Sequence, residues 1–262
     1  MWVHNLDPVL FAVFGLEVRY YGLAYILGFL ISVWWMKYLV GKKKIDWSMD
    51  EIWDLMFWLM VGVLVGSRLF EIFWEPSIYL NRPWELLFIW KGGMSFHGGL
   101  VGIVIAGVWW CRRKGKDFWR VADALSVPTM LALALGRVAN FINGELVGWV
   151  WDGSWCVNFR QTGGGDVCRH PSTLYAAGKR FVVFGWLVLL SWRESFKPGF
   201  IFWNFVLFEG AGRFFVDFYR EDVLYWGLSL GQWFSVVMVI VSLAVFWKGY
   251  RSEWKSLLKG KK

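Results

Sequence analysis

A few ionisable and amide side chains interrupt the otherwise apolar stretches of this 262-residue chain, and their types are those that hold a phosphate. They are Tyr21 beside Arg19, Arg68 with Glu71, His97, Asp123, the group Arg137, Asn140, Asn143 and Glu145, and the group Arg213, Asp217 and Arg220. Arginine offers a planar fork of donors that matches phosphate oxygens and keeps its charge when partly desolvated. A single histidine at 97 can take or give a proton near neutral pH. No second histidine or ligand-spaced cysteine pair accompanies it, so no metal and no cofactor is expected. His4 reads as an exposed residue of the N-terminal segment. The chain has neither a Gly-x-Ser-x-Gly elbow nor a P-loop. A covalent intermediate on the protein therefore has no obvious carrier, and any nucleophile is expected to arrive with the substrate.

The elements that must position these groups follow from composition. Of all residues 57% are apolar, 21% aromatic and 18% charged, with a mean hydropathy of +0.44. The charge is gathered between apolar stretches of about 20 residues, the length that crosses ~30 Å of hydrocarbon as a helix. That excludes a secreted disulfide scaffold, a disordered chain and an ordinary cytosolic enzyme. The expected fold is an all-α integral membrane protein, one transmembrane domain of seven helices at about 19–40, 52–74, 94–111, 119–143, 172–192, 199–219 and 229–248. External segments are expected at about 75–93 and 144–171.

Basic residues alternate with loop parity. Lys42, Lys43 and Lys44 follow the first span; Arg112, Arg113, Lys114 and Lys116 the third; Arg193 and Lys197 the fifth; and Lys248, Arg251, Lys255, Lys259, Lys261 and Lys262 the seventh. The other connections hold only Arg82, Lys91, Arg160, Arg169 and Arg220. This is the positive-inside pattern of an odd number of spans, with the N-terminus outside and the C-terminus cytoplasmic. The net charge of +8 then reads as orientation and contact with membrane lipid, not nucleic acid. The start lacks a basic n-region, so the first span is expected to remain in the mature protein. The 22 tryptophans, among them Trp34, Trp35, Trp74, Trp109, Trp110, Trp119, Trp192 and Trp247, read as headgroup-layer anchors, with Trp149, Trp151 and Trp155 lining a cavity.

Charge inside a bilayer is costly, so each such group calls for a partner or a task. With this topology Tyr21, Arg68, His97, Arg137 and Arg213 all fall near the outer leaflet, while Asp123 falls near the inner end of its span. An outward-facing polar cavity at headgroup level is expected. Plainer readings compete for individual residues. Arg68 and Glu71 have the spacing of a structural ion pair. Asp123 with Pro128 suits a kink, and His170 suits a cap or brace of the fifth span. His97 in its glycine-rich turn could equally be a satisfied structural histidine. Lys179 and Arg180 weaken the fifth span unless they face protein or water. Cys156 and Cys168 share an external loop where a disulfide is permitted, and Cys111 is expected to be a reduced thiol.

The run Gly136-Arg137-Val138-Ala139-Asn140-Phe141-Ile142-Asn143-Gly144-Glu145-Leu146-Val147-Gly148 resembles the pattern of bacterial prolipoprotein diacylglyceryl transferases. Tyr20-Tyr21-Gly22-Leu23, Gly92-Gly93-Met94-Ser95-Phe96-His97-Gly98-Gly99-Leu100, Arg169-His170-Pro171-Ser172, Gly212-Arg213 with Asp217 and Arg220, and Gly231-Gln232 extend the likeness along the chain. The resemblance implies transfer of the diacylglyceryl group of phosphatidylglycerol to the lipobox cysteine thiol of a lipoprotein precursor, with release of glycerol phosphate. It places this at the outer face of the bacterial cytoplasmic membrane. By resemblance His97, Arg137, Arg213 and Glu145 are catalytic, and Tyr21, Asn140, Asn143, Gly148 and Asp217 bind phosphatidylglycerol together with the two arginines. On this reading Arg137 and Arg213 hold the phosphate, and Glu145 and Asp217 hold the arginines. His97 either removes the thiol proton or orients the headgroup. Glycines 92, 93, 98 and 99 permit close backbone approach to lipid or to another helix.

The chain departs from the family pattern at a few positions. Asp217 stands where Glu is common, Trp149 where Arg usually follows Gly148, and Ala176 where Glu follows Tyr. Glu209 stands where many members carry Tyr, and Lys179 with Arg180 intrude where the stretch is usually apolar or acidic. A non-catalytic lipid-binding paralogue and a lipid or solute transporter are the competing readings. A rhodopsin-like protein would need a lysine within 229–247, and there is none.

Overall fold

The computed structural model describes residues 2–13, 16–88, 93–193 and 196–258; Gly92 of the glycine-rich motif, Lys91 and the lysines at 259, 261 and 262 lie outside them. In chain order the elements are β1 (Trp2–Val3), β2 (Val9–Val13), β3 (Leu16–Arg19), α1 (Tyr20–Gly41), α2 (Met49–Trp74), α3 (Pro76–Asn81), α4 (Phe96–Lys114) and α5 (Phe118–Asn143). Then come β4 (Val157–Asn158), β5 (Cys168–Arg169), α6 (Ser172–Trp192), α7 (Phe200–Val216), β6 (Leu224–Tyr225), β7 (Leu228–Ser229), α8 (Leu230–Gly249) and α9 (Arg251–Leu258). The long helices α1, α2, α4, α5, α6, α7 and α8 coincide with the seven expected stretches to within three residues at every end. Five of them, α1, α2, α5, α6 and α8, are long and apolar enough to cross a membrane. α7 has only 17 residues, and α4 is diluted by glycine, His97 and three basic residues in its last turn.

The chain divides into two compact units, residues 33–121 and residues 1–32 with 122–262. In the first unit α2 and α4 pack backbone to backbone. A Cβ at Gly66 would lie 2.3 Å from the Gly98 carbonyl oxygen, and one at Gly102 would lie 2.0 Å from that of Gly62. Such small-residue contact is how helices approach where lipid supplies no hydrophobic drive. Gly98 therefore serves helix packing. α2 opens with a capping box, Ser48 accepting from the Glu51 N–H while the Glu51 carboxylate accepts from the Ser48 N–H. Asp54 accepts from the indoles of Trp58 at 3.1 Å and Trp110 at 3.0 Å and pairs with Lys114 at 3.0 Å. Trp110 and Trp35 are buried, so these two are core residues and not headgroup anchors.

Arg68 is also structural, but with different partners from those its spacing predicts. Among the described residues no ion pair joins it to Glu71. Its guanidinium donates to the carbonyl oxygens of Glu85, Leu86, Phe88 and Gly93 and to the Tyr79 hydroxyl. Five donors in a fixed fork suit irregular backbone, whose carbonyls have no helical partner. The segment from α3 to α4 is thus tied to α2 through one buried side chain.

In the second unit β2 and β3 form an antiparallel hairpin leading into α1. β1 runs parallel to β4, and β4 antiparallel to β5, with the Cys156–Cys168 disulfide beside them. His4 is not exposed: its side chain is fully buried, Nε2 lies 2.8 Å from the Phe141 carbonyl oxygen, and its ring stands against Phe141 and Phe159. Strand β1 brings it there by pairing Val3 with Asn158. α8 begins at a second capping box, Ser229 with Gln232, and Gln232 Nε2 also donates to the Phe214 carbonyl at 3.3 Å.

α7 starts behind Gly199, which has φ +92° and no side chain to cap with. Asp123 of α5 replaces that cap: Oδ2 accepts from the Gly199 N–H and Oδ1 from the Phe202 N–H, each at 2.7 Å. The Asp123 carboxylate thus serves as the N-terminal cap of a different helix, at the positive end of its dipole.

Candidate active site

The last turns of α5 carry Arg137 and Asn140 three residues apart, on one helical face. Arg137 Nη1 donates to Asn140 Oδ1 at 3.3 Å. Asn140 Nδ2 donates to Glu145 Oε2 at 3.0 Å, and Asn143 Nδ2 to Glu145 Oε1 at 2.9 Å. Among the described residues, Glu145 therefore reaches Arg137 through the Asn140 amide. The reason is the helix end. Gly144 adopts φ +69°, its N–H donates to the Phe141 carbonyl and the Glu145 N–H to the Asn140 carbonyl. This left-handed cap turns Glu145 back over the asparagines. A Cβ at Gly144 would also lie 2.3 Å from Thr162 Oγ1.

At the end of α7, Arg213 Nε donates to Asp217 Oδ2 at 3.3 Å, and the Asp217 side chain is 5% exposed. Gly231, in the first turn of α8, abuts this pair; a Cβ there would stand 2.5 Å from Asp217 Oδ2. Arg220 pairs with Asp222 at 3.1 Å. From α6, Lys179 and Arg180 both reach the carboxylate of Glu209 on α7, and Arg180 Nη1 donates to the Ala176 carbonyl at 3.3 Å. Lys179 and Arg180, which read as intrusions, thus join Glu209 in one largely buried ionic group.

These groups meet at one cavity. Its charged lining is Arg137, Lys179, Arg180, Arg213, Arg220 and Asp217, and Leu146, Ser172, Thr173, Ala176 and Val216 complete it. Five cations face a single carboxylate there, an arrangement suited to an anion with several oxygens. The N-terminus of α6 opens on the same space through Ser172 and Thr173, adding the positive end of its dipole. Among the described residues no cluster of three His, Cys, Asp or Glu is placed to hold a metal ion.

The wall behind the cavity is a threaded loop. The Gly148 N–H donates to the His170 carbonyl at 3.1 Å, and the Trp149 N–H to the Tyr219 carbonyl at 3.0 Å. A Cβ on Gly148 would lie 2.5 Å from the Tyr219 oxygen and 2.6 Å from the His170 oxygen. The missing side chain of Gly148 thus lets its segment pass close to two others. Arg169 donates to the Gly148 and Gly164 carbonyls and pairs with Glu221. His170 stacks on Trp151 with ring centres 4.3 Å apart and lies 3.2 Å from the Tyr175 hydroxyl. It braces the start of α6 through Tyr175, and burial holds its imidazole below the usual pKa of 6.5. Trp149, Trp151 and Trp155 do not line the cavity; Trp155 is 63% exposed and donates to the Tyr175 hydroxyl at 2.8 Å.

Of the residues expected at the site, Arg137 and Arg213 share the cavity with Asp217 and Arg220, and Asn140, Asn143 and Glu145 stand behind Arg137. Tyr21 occupies the first turn of α1, its hydroxyl 3.4 Å from that of Tyr25. His97 occupies the first turn of α4, in the unit of residues 33–121, with its ring 5.8 Å from that of Phe96. Sequence reasoning treated Lys179, Arg180 and Glu209 as departures from a pattern. The available signal was electrostatic: two cations and one acid in successive apolar stretches must pair.

The chain matches the family described as prolipoprotein diacylglyceryl transferase over residues 8–248. It is 40% identical over 247 residues to the phosphatidylglycerol–prolipoprotein diacylglyceryl transferase of Geobacter sulfurreducens, covering 92% of this chain and 94% of the relative. The protein of that name from Aeromonas hydrophila is 37% identical over 257 residues, 95% of this chain and 93% of its own length. That from Bordetella parapertussis is also 37% identical over 257 residues, with 92% and 95% covered. With a match of this extent, and relatives aligned over nearly their whole length, the chain belongs to the prolipoprotein diacylglyceryl transferase family.

Proposed function

We propose that this protein transfers the diacylglyceryl group of phosphatidylglycerol to the thiol of the lipobox cysteine in a lipoprotein precursor. The observation that carries this reading is the convergence of Arg137, Arg213 and Arg220 with Lys179 and Arg180 on one cavity, alongside the activity named for the relatives. The thiol loses its proton, and the sulfur attacks the glycerol carbon that bears the phosphate. The new C–S bond replaces the C–O bond, whose electron pair leaves on the phosphate oxygen. Glycerol phosphate departs, and the precursor carries a thioether.

Arg137 and Arg213 bind the phosphate and meet the charge that grows on it. Asp217 orients Arg213 directly, and Glu145 orients Arg137 through Asn140. Asn143 and Tyr21 are assigned to headgroup oxygens, and His97 to the thiol proton or the headgroup. A thiol with a pKa near ~8.5 needs little help to ionise. In this reading the seven long helices all span the bacterial cytoplasmic membrane, with the N-terminus outside, the C-terminus in the cytoplasm and the cavity at the outer leaflet. The basic residues after the first, third, fifth and seventh helices support that orientation.

The test uses purified full-length protein, phosphatidylglycerol and a lipobox peptide, with mass spectrometry for the thioether-linked diacylglyceryl product. Product is expected with the wild type and is expected to be lost in Arg137→Ala and Arg213→Ala. Absence of product with wild type, or variants as active as wild type, refutes the reading.

A further inference from the structure

We propose that Arg180, positioned by Glu209, is a further phosphate-binding residue, and that it makes the cavity complementary to the doubly charged phosphate monoester that leaves. This rests on the transfer reading above, in which a singly charged phosphodiester enters and a monoester departs.

Two independent observations carry it. The first is the charge of the wall. Arg137, Lys179, Arg180, Arg213 and Arg220 supply five positive charges. Glu209 answers Lys179 and Arg180, Asp217 answers Arg213, and Asp222 answers Arg220. Counted by direct ion pairs, two positive charges therefore remain, because Glu145 meets Arg137 only through the Asn140 amide, and without Arg180 one would remain. A lipid phosphodiester brings one negative charge; a phosphate monoester brings nearly two at neutral pH. The second observation is a set of unmet donors. The Arg180 side chain is 4% exposed, yet its Nε–H is buried with no partner among the described residues. The Nε–H of Arg220 is in the same condition, on the same cavity. Buried charged donors are rarely left without acceptors, and phosphate oxygens at this wall provide them.

The consequence is kinetic. The second negative charge appears only as the C–O bond breaks, so a group that answers it favours the transition state over bound substrate. Arg180 would then act on kcat more than on KM. Glu209 is a positioning residue: it spans from α7 to α6 and fixes the guanidinium against the wall.

The experiment uses the full-length protein in detergent, with glycerol 1-phosphate as the monoester and glycerophosphoglycerol as the diester. Calorimetric binding and inhibition of transfer are measured for wild type, Arg180→Met, Glu209→Leu and the double variant. Arg180→Met leaves the Lys179–Glu209 pair in place, so a folded protein is expected, checked by its melting temperature. Wild type is expected to bind the monoester at least ~10-fold more tightly than the diester. Arg180→Met is expected to reduce that preference to about twofold and to lower kcat roughly 30- to 100-fold, with KM for phosphatidylglycerol within about threefold. The double variant is expected to lose no more kcat than Arg180→Met, because Glu209 acts through Arg180. An unchanged monoester preference in folded Arg180→Met, or a loss confined to KM, overturns the proposal. A wild type that binds the monoester in an Arg180-dependent way yet transfers nothing would refute the transfer reading and the kinetic role drawn from it, and leave only the Arg180 monoester site standing. Transfer that persists with an Arg180-independent preference does the reverse.

Discussion

Replacing Asp123 tests whether one carboxylate holds the start of the helix that carries Glu209 and Arg213. Its two oxygens accept the Gly199 and Phe202 N–H groups at 2.7 Å each. Gly199 has no side chain and Phe202 no acceptor, so α7 contains no substitute of its own. A hydrogen bond to a charged group contributes about 1.5–3 kcal/mol. Asp123 is only half-buried, so the lower end applies to both bonds, giving about 3 kcal/mol for Asp123→Ala. The dipole attraction at the helix start acts through these same contacts and is not added. Asp123→Asn keeps one oxygen acceptor without the charge, and about half of that loss is expected. For a chain of this size 1 kcal/mol corresponds to roughly 2–4 °C in melting temperature. Melting followed by tryptophan fluorescence in detergent should therefore show a drop of about 6–12 °C for Ala and about half that for Asn. Transfer activity should fall with temperature along the same curves. A melting point for Asp123→Ala within about 1 °C of wild type would refute the capping role, as would an Asn variant no better than Ala.

Gly148→Ala places a Cβ 2.5 Å from the Tyr219 oxygen and 2.6 Å from the His170 oxygen; an overpacking cost of about 1–3 kcal/mol is expected, read as a lower melting temperature with reduced transfer. Gly102→Ala, with its Cβ 2.0 Å from the Gly62 oxygen, should destabilise α2–α4 packing, seen as faster amide exchange in those helices. Glu145→Leu leaves the Asn140 and Asn143 amides without their shared acceptor; kcat should fall roughly 10- to 100-fold with a small change in melting temperature, and Glu145→Gln should recover part of it. For His170, burial lowers the folded pKa below 6.5, so the unfolded chain binds more protons in acid. Stability should hold above about pH 6.5, fall as pH drops through that value, and level off below the folded pKa. His170→Gln should flatten that dependence in pH-resolved melting.

The exchange of charge between α6 and α7 gives the site its individual character. A buried ionic group is weak as a source of stability, because desolvation offsets the attraction. Lys179 and Arg180, held by Glu209, are better understood through what they face, a cavity already lined by three other arginines.

Hydropathy and the spacing of charge determine, by themselves, seven long helices and which polar residues interrupt them, because apolar length and helical period are local properties. The motif from Gly136 to Gly148 likewise reveals Arg137, Asn140 and Glu145 as a group, since one helix end and its glycine turn hold them within ten residues. Partners were another matter. Asp123 and Gly199 are 76 residues apart, and Arg180 and Glu209 are 29; no local rule pairs them. His4 reads as exposed until a parallel strand buries it under Phe141 and Phe159. Arg68 has an acid three residues away, yet folding offers it irregular carbonyls that need donors more. Charge inside a low-dielectric interior must be answered, and the sequence states how much there is to answer. Only the packing of helices decides which group answers which, and so where the excess positive charge collects.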